Sequence, residues 1–257
     1  MFIERADRVW TATIGGHTIG LIAGEEGTVL IDLPARDAAD VLAEASRVAG
    51  SEVTEVVLTH PQDLTALADL GTVRVRAHES YGDQVRSADP SAEISTLVAI
   101  AAIDLGDRRV EVIHPGRAHT DADLVAVVPD SPVLFVGDLI GDPLRYGADS
   151  WPLEWANTLD QVIALMNESS QVVTGHDGHR SEGGPDDRDL AITARSTAAA
   201  VSHEITELIG RGVPFERAGA EGNWAIPFDL IADAVAAEWR RSGTSGPSQG
   251  RPLLPLV

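Results

Sequence analysis

The composition of the chain limits the kinds of protein that it can be. At 257 residues with 44% apolar content, it is long enough to bury a large core within one α/β domain. Its 40 acidic and 19 basic residues give a formal net charge of −21, which repels phosphate backbones and anionic membranes, so we expect no nucleic-acid and no membrane partner. The absence of cysteine excludes disulfides, thiolate metal sites and a cysteine nucleophile.

The first part of the chain alternates strand and helix signals. Short apolar runs separated by glycine-containing turns predict hairpin-linked strands, and an amphipathic pattern that ends at Gly50 predicts a helix. The predicted elements are strands at 9–14, 18–23, 28–32, 53–58 and 73–77, a helix at 35–49 and a short helix ending at Leu70.

The second part repeats this alternation without repeating the sequence. Two β-rich halves with helices outside them are typical of an αββα sandwich, which belongs to the α/β class. The predicted elements are strands at 109–113, 124–128, 133–136 and 171–174, and helices at 153–167, 186–209 and 228–241.

The same patterns predict how the chain is organised. We expect the sandwich to occupy residues 1–184, a helical extension to pack on it over 185–241, and a flexible tail rich in glycine and serine at 242–257. The N-terminus lacks the basic and apolar regions of a signal peptide, and no stretch reaches the ~18 apolar residues of a membrane span. We therefore expect a cytoplasmic protein, in which the added helices offer a surface for a homodimer.

Four short segments place histidines or a carboxylate directly after strand-like runs. They are THPQDLT at 59–65, GRAHT at 116–120, FVGD at 135–138 and TGHDG at 174–178. Functional side chains of α/β proteins collect on loops at strand ends, so these side chains are candidate metal ligands. The candidates are His60, His119, Asp138 and His176. A turn or hydrogen-bonding role would explain each residue alone but not their joint order.

The order and spacing of these segments, over about residues 7–184, resemble the metallo-β-lactamase-fold hydrolases. In that family a His-x-His-x-Asp-His loop supplies four ligands, and a later His, Asp and His complete two metal positions. Without a gap, Gln62, Leu64 and Thr65 replace the second His, the Asp and the last His of this loop. With a one-residue deletion, Asp63 takes the aspartate position and Leu64 replaces the last histidine. Both alignments lose two histidines, and Gln62 offers its amide oxygen as a weak substitute contact.

The resemblance implies that the first metal position is kept and the second is weakened. His60, His119 and Asp138 match the residues that reach the first metal. The second position keeps His176, the shared Asp138 and, in the deletion alignment, Asp63. If the deletion alignment holds, we expect Asp63 to orient a water or accept its proton. We expect His176 to act as a proton shuttle in catalysis, as a substrate contact or as a weak further ligand.

Such a site predicts a hydrolase with one zinc ion. Zinc held by three protein ligands polarises a carbonyl and lowers the pKa of its water to ~7. We therefore expect hydrolysis of a small-molecule substrate, an ester, thioester, lactone or amide, by a single metal-bound water. Iron (Fe) in the same site would support a mononuclear-iron dioxygenase of this fold. If the lost histidines have abolished metal binding, the protein is instead a binding or scaffold module.

Other ring side chains lie on neighbouring segments. We expect Trp151 and Trp155 to form a wall or lid over the site and Trp224 to close it from the helical extension, the alternative being that they anchor satellite cores. His17 lies on an early hairpin. Either this hairpin overhangs the site, or His17 is a surface residue at the edge of a strand. His179 is placed to line the pocket.

Overall fold

The strands of the chain form two sheets in the computed structural model, which describes residues 2–34, 37–176 and 185–243. The first sheet has seven strands in sequence order: β1 (Ile3–Ala6), β2 (Val9–Ile14), β3 (His17–Ala23), β4 (Thr28–Ile31), β5 (Val53–Val57), β6 (Arg74–His78) and β7 (Ile94–Leu97). The pairings are antiparallel from β1 to β4 and parallel from β4 to β7.

The second sheet has five strands: β8 (Ile100–Asp104), β9 (Arg109–Ile113), β10 (Val125–Val127), β11 (Val133–Gly137) and β12 (Gln171–Thr174). Its strand order is β12-β11-β10-β9-β8, and the pairings are antiparallel except for β11 with β12, which is parallel. Each sheet therefore contains a parallel pair whose carboxyl ends leave the sheet at the same edge.

The two sheets pack face to face through an apolar layer. Val57 and Ile31 of the first sheet share one core cluster with Val112 and Phe135 of the second. The contact is close at Gly20, where an added Cβ would collide with the ring of Phe135. A larger side chain at this position would push the sheets apart.

Helices cover the outer faces of both sheets. The helices are α1 (Ala38–Ala49), α2 (Glu79–Ala88), α3 (Pro152–Ala164), α4 (Pro185–Gly210), α5 (Phe215–Glu221) and α6 (Phe228–Arg241). α1 and α2 share a core with the first sheet, whereas α3, α4 and α6 share one with β11 and β12. The order of layers is helix, sheet, sheet, helix, and the predicted αββα sandwich is confirmed.

The predicted elements differ from the structure mainly at their ends. The helix expected at 35–49 begins at Ala38, preceded by Asp37 in the left-handed region with φ of 60°. The short helix expected before Leu70 is a 3-10 helix over Thr65–Asp69. Five elements had no sequence prediction: β1, β7, β8, α2 and α5.

Some predictions fall outside the described residues. These are the tail at 244–257 and His179 within 177–184. Within the described ranges, no helix combines the length and the apolar character needed to cross a membrane.

Candidate metal centre

Three of the predicted ligands meet at one edge of the sandwich. His60 follows β5, Asp138 follows β11, and His119 lies on the loop between β9 and β10. The Nε2 atoms of His60 and His119 lie 3.9 and 3.7 Å from the same Asp138 oxygen, Oδ2. Two donors bonded to one transition metal at ~2 Å each lie at most ~4 Å apart, so these separations suit a shared ion. Within the described residues, this trio is the group of three whose ligand atoms all lie within 4.8 Å of one another.

A hydrogen-bond chain fixes the ring of His60. Asp32 accepts the Thr59 hydroxyl at 2.7 Å, the Thr59 N–H at 2.7 Å and the Gln62 amide at 2.8 Å. The one hydroxyl proton of Thr59 is thereby used, so its oxygen accepts the Nδ1–H of His60, 2.9 Å away. A neutral His60 with its proton on Nδ1 presents the Nε2 lone pair to Asp138, as a metal ligand requires.

His119 is fixed in the same tautomer by a different partner. Its Nδ1 lies 2.9 Å from the carbonyl oxygen of Arg145. A carbonyl only accepts, so Nδ1 carries the proton, and in the neutral ring Nε2 keeps its lone pair. Both imidazoles therefore direct a lone pair to the Asp138 oxygen that faces them, and this donor set fits a transition metal ion.

Asp138 is held as a carboxylate. Burial raises its pKa, but the hydrogen bond from His176 and the positive charge that the His60, His119 and His176 rings carry when protonated, in the absence of a metal, outweigh this effect and lower the pKa to about 2. Its exposed fraction is only 8%, so the negative charge faces the imidazoles instead of solvent. A buried carboxylate beside imidazole lone pairs favours the binding of a cation between them.

Small residues make room for this arrangement. Gly137 has φ of 52°, and a Cβ there would lie 2.6 Å from the Thr59 hydroxyl. A Cβ on Gly175 would lie 2.5 Å from Oδ1 of Asp138. Gly137 and Gly175 therefore let the strand ends approach closely enough to form the site.

His176 reaches the site through Asp138. Its Nδ1 lies 2.7 Å from Oδ1 of Asp138, the oxygen that does not face His60 and His119. It lies outside the three-residue ligand group, and its expected ligand role stays a prediction. Its ring packs on that of His17, with centroids 4.5 Å apart. Burial and the neighbouring His176 lower the pKa of His17.

His17 therefore borders the site, as one of its two sequence interpretations held. Backbone bonding supports this position, because the N–H of Thr18 donates to the carbonyl of Gly175 at 2.8 Å. The sequence predicts the hairpin between β2 and β3. That this hairpin approaches the end of β12 depends on the tertiary fold and has no sequence signal.

The segment at 59–65 places its other polar side chains, Gln62 and Asp63, away from the three-residue ligand group. Asp63 is exposed, and its carboxylate accepts the Thr65 N–H at 2.9 Å, at the start of the 3-10 helix. It is not part of the ligand group, and its catalytic role stays a prediction. The amide oxygen of Gln62 accepts the Leu33 N–H and its amide nitrogen donates to Asp32, and its expected metal contact stays a prediction.

The tryptophans are anchors in this structure. Trp155 is completely buried and donates to the Leu139 carbonyl at 3.0 Å, and its ring centre lies 6.0 Å from that of His119. It therefore forms a wall behind the site as part of the core and is not a lid. Trp224 donates to the Ala218 carbonyl at 3.0 Å within the helical extension. The open space beside the centre is a cavity of about 190 Å³. Its lining includes Asp138, His176, Ile140, Arg145, Thr174 and Leu190.

A two-sheet sandwich with a His, His, Asp group at one edge defines an αββα protein with a candidate metal centre. No protein-family model matches the chain. Among curated proteins, it is 22% identical over 186 residues to a metallo-β-lactamase type 2 of Bacillus cereus, covering 65% of this chain and 73% of that one. It is 24% identical over 135 residues to a metallo-β-lactamase type 2 of Bacillus sp. (strain 170), covering 48% of this chain and 51% of the relative, about half its length.

Solved structures show the same fold. A metallo-β-lactamase from Pontibacter korlensis superposes with a TM-score of 0.61 at 20% identity, over 76% of this chain and 98% of that one. A metallo-β-lactamase from Pseudomonas aeruginosa in its mono-zinc form gives a TM-score of 0.63 at 18% identity, over 77% and 96%. The chain therefore has the metallo-β-lactamase fold.

Proposed function

We propose that the protein is a metal-dependent hydrolase that holds a single zinc ion through His60, His119 and Asp138. The observation that carries this proposal is that both imidazoles are fixed with Nδ1–H donating and Nε2 facing one oxygen of a buried carboxylate. Hydrogen bonds that hold two imidazoles from separate loops with both Nε2 atoms toward one carboxylate oxygen preorganise a metal ligand set.

The zinc ligands and His176 have separate roles in the proposed hydrolysis. A bound zinc ion supplies Lewis-acid polarisation of a substrate carbonyl and makes water more acidic. Asp138 stays ionised and, because it is an acceptor only, takes the Nδ1–H of His176. This leaves the Nε2 of His176 to accept a proton, and His176 lines the adjacent cavity. We assign His176 the role of proton carrier.

The proposed substrate class is based on the carbonyl chemistry that zinc supports and on the size of the adjacent cavity. A cavity of about 190 Å³ suits the reacting part of a small ester, thioester, lactone or amide. The curated relatives are named metallo-β-lactamases, so a cyclic amide belongs among the substrates to be tried.

The first test is metal content. Freshly purified protein should contain close to one zinc per chain by elemental analysis and should hydrolyse one class in a panel of chromogenic esters, thioesters, lactones and cyclic amides. His60→Ala should lose both zinc and activity. His203→Ala, a matched change at an exposed histidine of α4, should lose neither.

The other outcomes are distinct. Iron in place of zinc would assign the centre to dioxygen chemistry. Protein that carries no metal, and whose melting temperature is unchanged by added zinc or by chelator, would contradict the proposal and favour the scaffold alternative.

A further inference from the structure

The loop that carries His119 is held by residues 145–151, here called the support loop. The carbonyl of His119 accepts the Ser150 hydroxyl at 2.9 Å, and the carbonyl of Ala118 accepts the N–H of Trp151 at 2.8 Å. The Nδ1 of His119 bonds to a third support-loop group, the carbonyl at 145. The support loop thus fixes both the backbone and the ring orientation of this candidate ligand.

Arg241, the last residue of α6, contacts the support loop twice. Its Nη1 donates to the Ser150 carbonyl at 2.9 Å, and its guanidinium carbon lies 3.9 Å from the centre of the Trp151 ring. The same Nη1 pairs at 2.7 Å with Glu238, which is only 4% exposed. A guanidinium anchored on a buried carboxylate one helical turn away has a fixed direction, so its contacts with the loop are preorganised.

Ser150 transmits this contact toward the metal centre. The residue is fully buried, and its hydroxyl accepts the Gly147 N–H while donating to His119. Its carbonyl is the group that Arg241 holds. Ser150 therefore connects α6 to the backbone of His119, through its carbonyl on one side and its hydroxyl on the other.

Trp151 provides a second, parallel connection. Arg117, two residues before His119, also places its guanidinium 4.4 Å from the Trp151 ring. The indole is thus shared between the loop that carries His119 and the end of α6. Stacking of guanidinium groups on tryptophan is favourable and directional.

We propose that Arg241 is a positioning residue of the metal centre. α6, which lies outside the region that resembles the family, holds the support loop through Ser150 and Trp151. The support loop in turn keeps the Nε2 of His119 directed at Asp138. This proposal rests on the proposed metal-binding function, and it assigns the end of the helical extension a part in ligand geometry.

The test compares full-length variants. Arg241→Met keeps an unbranched apolar stem near Trp151 but removes the donor and the charge. The dissociation constant for zinc, measured by competition with a chromophoric chelator, should rise about 10-fold, the lower end for lost outer contacts of metal ligands. The visible spectrum of the cobalt-substituted protein should change as well. Arg241→Lys, which can still donate one hydrogen bond, should recover part of the affinity.

Arg240→Met is the matched control, because the neighbouring arginine is exposed and should leave zinc affinity unchanged. Ser150→Ala removes the hydroxyl bond to His119 and should act in the same direction as Arg241→Met. The double variant should lose less affinity than the product of the two single effects, because both act through one connection. If Arg241→Met does not fold, Ser150→Ala and Arg241→Lys decide the question.

A second readout needs no metal. In the metal-free protein at pH 8, the ring ¹⁵N resonances of His119 should report a single Nδ1–H tautomer, and in Arg241→Met a mixture of tautomers. Unchanged zinc affinity and unchanged ring resonances in Arg241→Met would overturn the proposal. A parent protein that binds no zinc would instead refute the proposed function, and the ring resonances would still decide whether Arg241 positions His119.

Discussion

His176 and Asp138 share a hydrogen bond of 2.7 Å that leaves the second carboxylate oxygen to the other two histidines. Oδ1 takes the Nδ1–H of His176, whereas Oδ2 faces His60 and His119. The bond limits rotation of the carboxylate, so Oδ2 stays directed at the point where the two Nε2 lone pairs meet. One carboxylate therefore connects His176 with the candidate ligand group.

His176→Ala separates the two roles that the sequence allows for this residue. We expect zinc affinity to fall by about 10–100-fold, as for the loss of any hydrogen bond to a metal ligand, but zinc to stay near one per chain when metal is in excess, because His176 reaches the centre only through Asp138. The kcat should fall by about 10²-fold or more, the usual effect of losing a general acid–base group. Elemental analysis and steady-state kinetics on the same preparation check both parts. Zinc lost together with activity would mean that His176 is a ligand.

Gly175→Ala tests the close approach of the strand ends. The new Cβ would lie 2.5 Å from Oδ1 of Asp138 and 3.1 Å from the Gly137 carbonyl carbon, so the carboxylate must move. We expect zinc affinity to fall by about 10-fold or more, since the ligand is displaced from its supported position. Competition with a chromophoric chelator measures the loss.

The matched control is Gly210→Ala at the end of α4, where an added Cβ meets nothing within 4 Å. This change should leave zinc affinity as in the parent. Equal affinities in all three proteins would show that Asp138 has no part in holding the ion.

Thr59→Val removes the hydroxyl between Asp32 and His60 while keeping the shape of the side chain. It leaves the Nδ1–H of His60 and one oxygen of Asp32 without this partner in a site that is 1% exposed at Thr59. We expect the free energy of unfolding of the metal-free protein to fall by about 1–3 kcal/mol. Zinc affinity should fall by about 10–100-fold.

Urea denaturation and chelator competition measure the two effects. Thr13→Val, at an exposed position of β2, removes a hydroxyl without touching the centre and should change neither quantity by much. If Thr59→Val binds zinc as tightly as the parent, the fixed tautomer of His60 contributes nothing to metal binding.

The sequence predicted the elements that bury a regular apolar pattern and missed those that do not. β8 reads Ile-Ala-Ala-Ile-Asp and is exposed at three of its five positions. α2 contains Gly82, a poor helix former, which is present because a Cβ there would lie 2.6 Å from the Thr96 methyl group of β7. Tertiary packing, not local propensity, decides these segments.

The sequence predicted only those residues of the candidate site that stand in a recognisable motif. His60, His119 and Asp138 stand in recognisable segments, and the structure brings them together. The sequence indicates Asp32 only as the end of a strand. Its hydrogen bond with Thr59, 27 positions away, depends on the parallel pairing of β4 with β5 and has no sequence signal. Arg241 had no signal at all, since nothing in its helix indicates a contact with residue 150.

Asp123 gives the fold a pH dependence close to the centre. Complete burial raises its pKa from 3.8 to about 7, although hydrogen bonds from the Thr120 N–H and hydroxyl oppose this effect. Because the folded pKa lies above the unfolded value, the folded protein holds the extra proton between about pH 4 and 7. The free energy of unfolding should therefore fall as pH rises through this window, by up to about 1.4 kcal/mol per pH unit, and level off above it.

Asp123→Asn should remove that slope, because an amide is neutral throughout and can still accept the Thr120 N–H while donating to its hydroxyl. Urea denaturation of metal-free protein at pH 5, 6, 7 and 8 measures the difference in slope between variant and parent. Asp121→Asn, an exposed neighbour, is the control and should keep the slope of the parent. Parallel profiles for the parent and Asp123→Asn would show that Asp123 is ionised throughout, and its burial would then be compensated by the hydrogen bonds from Thr120.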